Sequence, residues 1–143
     1  MTPPFQHVAI VGLGLIGSSI ARALRACLPQ VRVTGFDADP ASNAAARELG
    51  FCHDVMDDAA AAVAGAGLVI LAVPVGAMAG VAAALAPALP PDCVVSDAGS
   101  SKADVAAALA AALPHHTIVP AHPVAGTENS GPEAGFATLF AGR

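Results

Sequence analysis

Basic charge is scarce in this sequence. Six Lys and Arg stand against eleven Asp and Glu over 143 residues, a formal net charge of -5, and Lys102 is the only lysine. No run or cluster of five basic residues occurs. Nucleic acid and anionic membrane surfaces are held by concentrated positive charge, so neither is expected as the main partner. Cysteine is sparse as well. Cys27, Cys52 and Cys93 are too far apart for a CxxC pair, and no His/Cys spacing of a metal site accompanies them. No metal is expected, and the odd, scattered set reads as buried free thiols in a reducing compartment. The opening MTPPFQHVAI has neither a basic n-region nor a long apolar h-region, which points away from a signal peptide and towards the cytoplasm. Residues 59–91 lack charge altogether, a length that could span a bilayer. That run is mostly Ala and Gly, is cut by Pro74 and Pro87, and has one strongly aliphatic block, LVILAV. A buried strand followed by an alanine-rich helix explains it better.

What the chain does contain is a regular alternation. Short apolar runs at 7–12, 31–36, 68–73, 93–98 and 117–121, with a weak strand near Phe51–His53, are separated by helix-length stretches. Helices are expected at 15–28, with Arg22 and Arg25 on the face away from the apolar one, at Pro40–Leu49, around Asp57–Val63, at 76–89 and at 101–113. Ser130 and Glu133 form an S-x-x-E capping box around Pro132, predicting a last helix to about Phe140. Strands apolar throughout and alternating with helices imply a parallel sheet covered on both faces. The order fits an α/β, doubly wound, Rossmann-type dinucleotide-binding domain filling residues 1–143, with no internal repeat or long linker. Ligands in such sheets sit at the carboxyl ends of the strands, so the loops after Val11, Val73, Ala98 and Ala121 should share one edge.

The first of those loops carries Gly12-x-Gly14-x-x-Gly17 between strand and helix, as a dinucleotide fingerprint requires. Gly12 permits the tight turn, Gly14 lets backbone approach a pyrophosphate, and Gly17 lets helix and strand pack closely. The helix N-terminus offers unpaired N–H groups and a positive dipole end to phosphate. Asp37 stands 20 residues after Gly17 at the end of the second strand. A carboxylate there accepts the ribose hydroxyls and repels a 2′-phosphate, favouring NAD over NADP. The helix-capping role belongs more naturally to Asp39, before Pro40, and Arg47 is too far along its helix to clamp a phosphate. Leu15 and Ile16 between the glycines, with Val73 and Pro74 after the fourth strand, complete the expected cofactor set. No further flavin motif is present.

The remaining polar groups gather at 94–105 and 121–135. In VVSDAGSSKADV, Asp97 sits among apolar neighbours, and Ser101 with Asp104 makes a plausible helix cap. Ser100 either projects into the cleft or shares that capping. Lys102 either binds an acidic group or is solvated. Of the five histidines, His7 begins a strand, His53 lies in a weak one, and His115 and His116 sit in a turn. Only His122 is at the carboxyl end of a central strand beside the cleft, where an imidazole can take a proton from a hydroxyl as hydride leaves the same carbon. A structural role for His122 competes on equal terms.

Taken together, VGLGLIGSSIA, SDAGSSK and AHPVAGTENSG resemble the prephenate/arogenate dehydrogenase family of tyrosine biosynthesis, over essentially the whole chain and on its N-terminal nucleotide-binding domain. The resemblance implies that His122 hydrogen-bonds and helps deprotonate the ring hydroxyl of the substrate. It implies that Ser100 supports the same hydroxyl, and that Gly126, Thr127 and Glu128 line the substrate pocket. It implies NAD as cofactor, prephenate or arogenate as small-molecule substrate, and a homodimer for a full-length form. Ser101 replaces a usually apolar residue. The family's C-terminal helical domain, which supplies the dimer interface and a basic group for the substrate carboxylate, is not in these residues, so the isolated chain is expected to bind cofactor with little turnover. Two rivals remain: a β-hydroxyacid or imine dehydrogenase of related fold, which shares the glycine motif but not the HPVAGTE loop, and a non-catalytic NAD-binding module.

Overall fold

The computed structural model describes residues 3–98, 102–121 and 131–139. Six strands form one parallel sheet: β1 (His7–Val11), β2 (Arg32–Phe36), β3 (Asp54–Val55), β4 (Leu68–Leu71), β5 (Val94–Asp97) and β6 (Thr117–Val119). Their spatial order is β3-β2-β1-β4-β5-β6, the doubly wound arrangement expected, and the order reverses between β1 and β4. Among the described residues five helices cover the sheet: α1 (Leu15–Cys27), α2 (Pro40–Leu49), α3 (Ala59–Val63), α4 (Val75–Leu85) and α5 (Lys102–Ala112).

The alternation of side chains along β1 explains why both faces need covering. Every residue of β1 is buried. Val8 and Ile10 enter a core with Leu13, Ala21, Val33, Ala46 and Phe51, whereas Ala9 and Val11 enter a second core with Met78, Leu85, Val105 and Leu109. A fully enclosed leucine such as Leu109 contributes on the order of 2 kcal/mol through removal of its surface from water. The buried residues of α1 are Gly17, Ser18, Ser19 and Ala21, all small, which lets neighbouring segments lie close to this helix. Among the described residues no helix is long and apolar enough to cross a membrane. The uncharged run divides instead into β4 and α4, as its composition indicates.

The differences from the sequence reading have local causes. The third strand lies at Asp54–Val55 rather than Phe51–His53, because Phe51 and Cys52 are drawn into the core. His53 is held by β2, its ring Nδ1 accepting the Val33 N–H at 2.9 Å. Helix α4 ends at Leu85, four residues short of the expected Leu89. Pro87 has no N–H to continue the ladder, although Ala86 before it keeps helical backbone angles and the Leu89 N–H still reaches the Leu85 carbonyl at 3.1 Å. The last helix is not formed: the described residues after the loop carry only a 3₁₀ turn at Pro132–Ala134. Gly131 adopts φ 86° and Gly135 is extended, so the chain runs across α1 instead of coiling. There Phe136 N–H donates to Ser19 Oγ at 3.0 Å. Arg22 turns towards this segment rather than away from it, donating to the Pro132 carbonyl at 2.9 Å with its guanidinium 4.6 Å from the centre of the Phe51 ring. Ser130, the expected cap, lies outside the described residues.

Candidate functional site

At the carboxyl edge of β1, β2, β4 and β5 lies an open cavity of about 500 Å³. It is walled by the glycine loop, by Phe36, Asp37 and Ala38 after β2, by Ala72, Val73 and Pro74 after β4, and by Ala98 after β5. Sheets of this topology bind ligands where the strand order reverses, and that crevice is the one between β1 and β4. Gly12, Gly14, Leu15, Ile16, Asp37, Val73 and Pro74 all line it. Gly17 lies just behind.

The three glycines have separate physical reasons. Gly12 has φ 105°, and a side chain on it would strike the Ala72 carbonyl. A Cβ on Gly17 would overlap the Gly12 carbonyl oxygen, so this residue sets how closely α1 approaches the turn. Gly14 is different: nothing lies within 4 Å of where its Cβ would be. Its openness is on the cavity side, where a ligand would need the room. Gly14 is also the N-cap of α1 without a side-chain cap bond, and no acidic residue occupies the first turn. The helix thus presents its N–H groups and positive dipole end to the cavity, a good fit for a pyrophosphate.

Asp37 is half-buried and fixed from several sides. One carboxylate oxygen accepts the Leu13 N–H at 2.8 Å, and the other accepts the Asp39 N–H at 2.8 Å. Two N–H donors leave further lone pairs on both oxygens for hydroxyl groups. The main chain of Asp37 is held by Asn43, whose Oδ1 accepts the Asp37 N–H at 2.8 Å and whose Nδ2 donates to the Asp37 carbonyl at 2.7 Å. Asn43 escaped the sequence reading. Its signal was a buried, poor helix former inside the alanine-rich α2. Asp39 caps α2, accepting the Ala41 N–H at 3.0 Å, as its place before Pro40 indicated. Arg47 is engaged elsewhere, with the Val55 carbonyl and with Asp57 at 2.7 Å. No Lys or Arg is among the described residues lining the cavity, an environment that suits ribose hydroxyls better than a 2′-phosphate.

The opposite wall leads towards the polar loop. Asp97, only 2% exposed, ends β5. Its Oδ1 accepts the Ala121 N–H at 3.2 Å, and Ser96 Oγ donates to the Val119 carbonyl at 2.7 Å. These bonds join the ends of β5 and β6, so Ala121 lies at the carboxyl edge of the sheet, the edge at which the cavity also lies. His122, Ser100, Gly126, Thr127 and Glu128 lie outside the described residues, as does Ser101. The other histidines have structural surroundings. His7 Nε2 pairs with Thr34 Oγ1 at 2.8 Å, His116 Nε2 lies 3.1 Å from the Pro90 carbonyl oxygen, and His115 is exposed. Among the described residues no three His, Cys, Asp or Glu side chains gather as a metal ion would require.

This geometry has close parallels. Residues 20–143 match the family model for the nucleotide-binding domain of prephenate dehydrogenase. The cyclohexadienyl dehydrogenase of Zymomonas mobilis is 54% identical over 136 residues, 95% of this chain and 46% of that protein. The structure of prephenate dehydrogenase from A. aeolicus, in complex with hydroxyphenyl propionate and NAD+, superposes with a TM-score of 0.90 at 31% identity. That match covers 99% of this chain and 50% of the other. Synechocystis arogenate dehydrogenase gives a TM-score of 0.84 at 26% identity, over 93% of this chain and 46% of that one. The chain therefore spans about half the length of these relatives.

Proposed function

The chain belongs to the prephenate dehydrogenase family, whose nucleotide-binding domain it matches over most of its length; from that premise we propose that it is the cofactor-binding and hydride-transfer half of an NAD-dependent prephenate or arogenate dehydrogenase. The observation that carries the reading is the cavity at the strand reversal. Its glycine loop, uncapped helix end and anchored Asp37 suit a dinucleotide. The A. aeolicus relative in complex with NAD+ supports the choice of cofactor. NAD bound there would supply the hydride acceptor for the ring carbon that carries the substrate hydroxyl.

The protein's own groups then have distinct tasks. Backbone N–H groups at the start of α1 hold the pyrophosphate, and Asp37 accepts the adenosine ribose hydroxyls. His122 takes the hydroxyl proton, with Ser100 sharing the hydrogen bond that orients that hydroxyl. Gly126, Thr127 and Glu128 contact the substrate. Oxidation at the hydroxyl-bearing carbon gives a dienone, and loss of the ring carboxylate as carbon dioxide sends its electron pair into the ring and restores aromaticity. The resulting phenolate is reprotonated. In a full-length form as long as the relatives, of which this chain spans about half, the remaining half would supply a basic group for the substrate carboxylate and the dimer interface. The Zymomonas relative, a cyclohexadienyl dehydrogenase, supports the ring class without separating keto from amino side chains.

The test is reduction of NAD by the longest form of the protein with prephenate, arogenate and a panel of 3-hydroxyacids, for the unaltered sequence and His122→Asn. Turnover of prephenate or arogenate that falls by about 100-fold or more in the variant is expected, the upper part of the range for losing a general base. Turnover of 3-hydroxyacids alone, or a rate indifferent to the substitution, rejects the assignment.

A further inference from the structure

The segment that follows the proposed substrate loop is fastened to the cofactor-binding helix, and the fastening is unusually specific. Arg22 Nη1 donates to the carbonyl of Pro132 at 2.9 Å, a bond between residues 110 positions apart. Ser19, one turn earlier on α1, accepts the Phe136 N–H at 3.0 Å. Between these contacts Gly135 crosses α1 so closely that a Cβ on it would collide with Ser18 Oγ and Arg22 Nη1. Pro132 and Leu139 are buried beneath the crossing. The guanidinium is itself held by the ring of Phe51 at 4.6 Å, an arrangement that stiffens a side chain otherwise rich in rotamers.

The other end of the same loop is held too. Ala121, the residue before His122, donates its N–H to the buried carboxylate of Asp97 at 3.2 Å. The described residues on either side of 122–130 are thus both held, Ala121 by the end of β5 and Pro132 by α1. Fixing the two ends of a segment lowers the entropy lost when it orders around a ligand. Arg22 does not line the cofactor cavity. It lies seven residues along α1 from Leu15, about 10 Å down the helix axis. Its influence on cofactor affinity should therefore be small, and its influence on the loop large.

We propose that Arg22 is a positioning residue: by gripping the Pro132 carbonyl it anchors the downstream end of the proposed substrate loop on the helix whose N-terminus receives the cofactor. The inference rests on the reading of His122 and residues 126–128 given above. It makes α1 serve two ligands, the cofactor through its N-terminus and the substrate through its outer face.

Three measurements on Arg22→Ala, Arg22→Lys and Gly135→Ala test this. In the 143-residue chain with NAD added, hydrogen exchange of the amides in 122–130 should quicken by about tenfold in Arg22→Ala while β1 amides keep their protection. Affinity for NAD should stay within about twofold, because no cavity contact is lost. In the longest form of the protein, kcat/KM for the cyclic substrate should fall by about tenfold with KM for NAD unchanged. Arg22→Lys, which keeps an N–H donor, should recover part of both effects. Should Arg22→Ala fail to fold, Gly135→Ala, with Arg22 retained, must show the same split. Unchanged exchange in 122–130, or equal losses of cofactor and substrate affinity, overturns the inference. Comparison with His122→Asn separates the two ideas. A silent His122→Asn beside quickened loop exchange defeats the catalytic reading alone, and an inactive His122→Asn beside a silent Arg22→Ala defeats the anchoring alone.

Discussion

The amide N–H of Leu13, inside the glycine loop, donates to the carboxylate of Asp37 at the end of β2, 2.8 Å away. One hydrogen bond thereby joins the element that would cradle a pyrophosphate to the one that would hold a ribose. The second carboxylate oxygen accepts from Asp39 N–H, so Asp37 is oriented before any ligand arrives. Preorganisation of this kind removes an ordering cost from binding.

Asp37→Asn should consequently weaken NAD more than loss of charge alone would. An amide has one acceptor oxygen, and both positions now filled by carboxylate oxygens face N–H donors. NAD affinity is expected to fall by about 10- to 100-fold, corresponding to hydrogen bonds to a charged group, while discrimination against NADP narrows. Calorimetric titration with the two cofactors measures both; undiminished NAD affinity would remove Asp37 from the ribose site.

Gly14→Ala and Gly17→Ala should behave oppositely. Gly17 has no space for a methyl group, which would overlap the Gly12 carbonyl. Its substitution is expected to destabilise the fold by about 1–3 kcal/mol, lowering the melting temperature. Gly14 has nothing within 4 Å, so Gly14→Ala should melt close to the unaltered protein yet bind NAD poorly, because the methyl occupies the pyrophosphate approach. Full NAD binding by Gly14→Ala would show that the phosphates lie elsewhere.

The three thiols should be separable by rate. Burial pushes the Cys52 thiol up to about 12, with Arg25 and Arg22 only partly offsetting it. Burial likewise raises Cys93 to about 11, against a smaller opposing effect of hydrogen bonding with the Val69 backbone. Both remain protonated and poorly nucleophilic near pH 8. Cys27, expected from the sequence to be buried, is instead exposed at the end of α1. A thiol-specific reagent at pH 8 should modify Cys27 rapidly, and the other two only after denaturation. Rapid labelling of three thiols in the folded chain would contradict this.

Acid should weaken the fold through His7. Its pKa lies below the ordinary histidine value, chiefly because of burial, then because of the Arg32 charge, with hydrogen bonding to the Gly65 backbone acting the other way. Thr34 Oγ1 gives its proton to the Ala62 carbonyl and so accepts from His7 Nε2. The unfolded chain takes up a proton near pH 6.5 while the folded one resists. Stability from this group is therefore fully present above about pH 6.5 and falls as pH drops towards the lower folded value. Denaturant midpoints from pH 8 to pH 5 should show a decline that His7→Gln flattens. An equal decline in the variant would assign the acid sensitivity to other groups.

The sequence alone determined the doubly wound sheet, the glycine turn, the place of Asp37 at the end of β2 and the cap at Asp39, because each follows from local rules: strand and helix periods, φ restrictions, and the geometry of a helix end. Tertiary structure decided where those rules compete. Phe51 and Cys52 leave the edge strand for the core, and Asn43 is spent on the main chain of Asp37. The segment after residue 130 gives up the helix its capping box encodes in order to cross α1 at Gly135. No local pattern announces Arg22 reaching a carbonyl 110 positions away, because the free energy of that contact exists only once the sheet has brought both ends of the chain onto one helix.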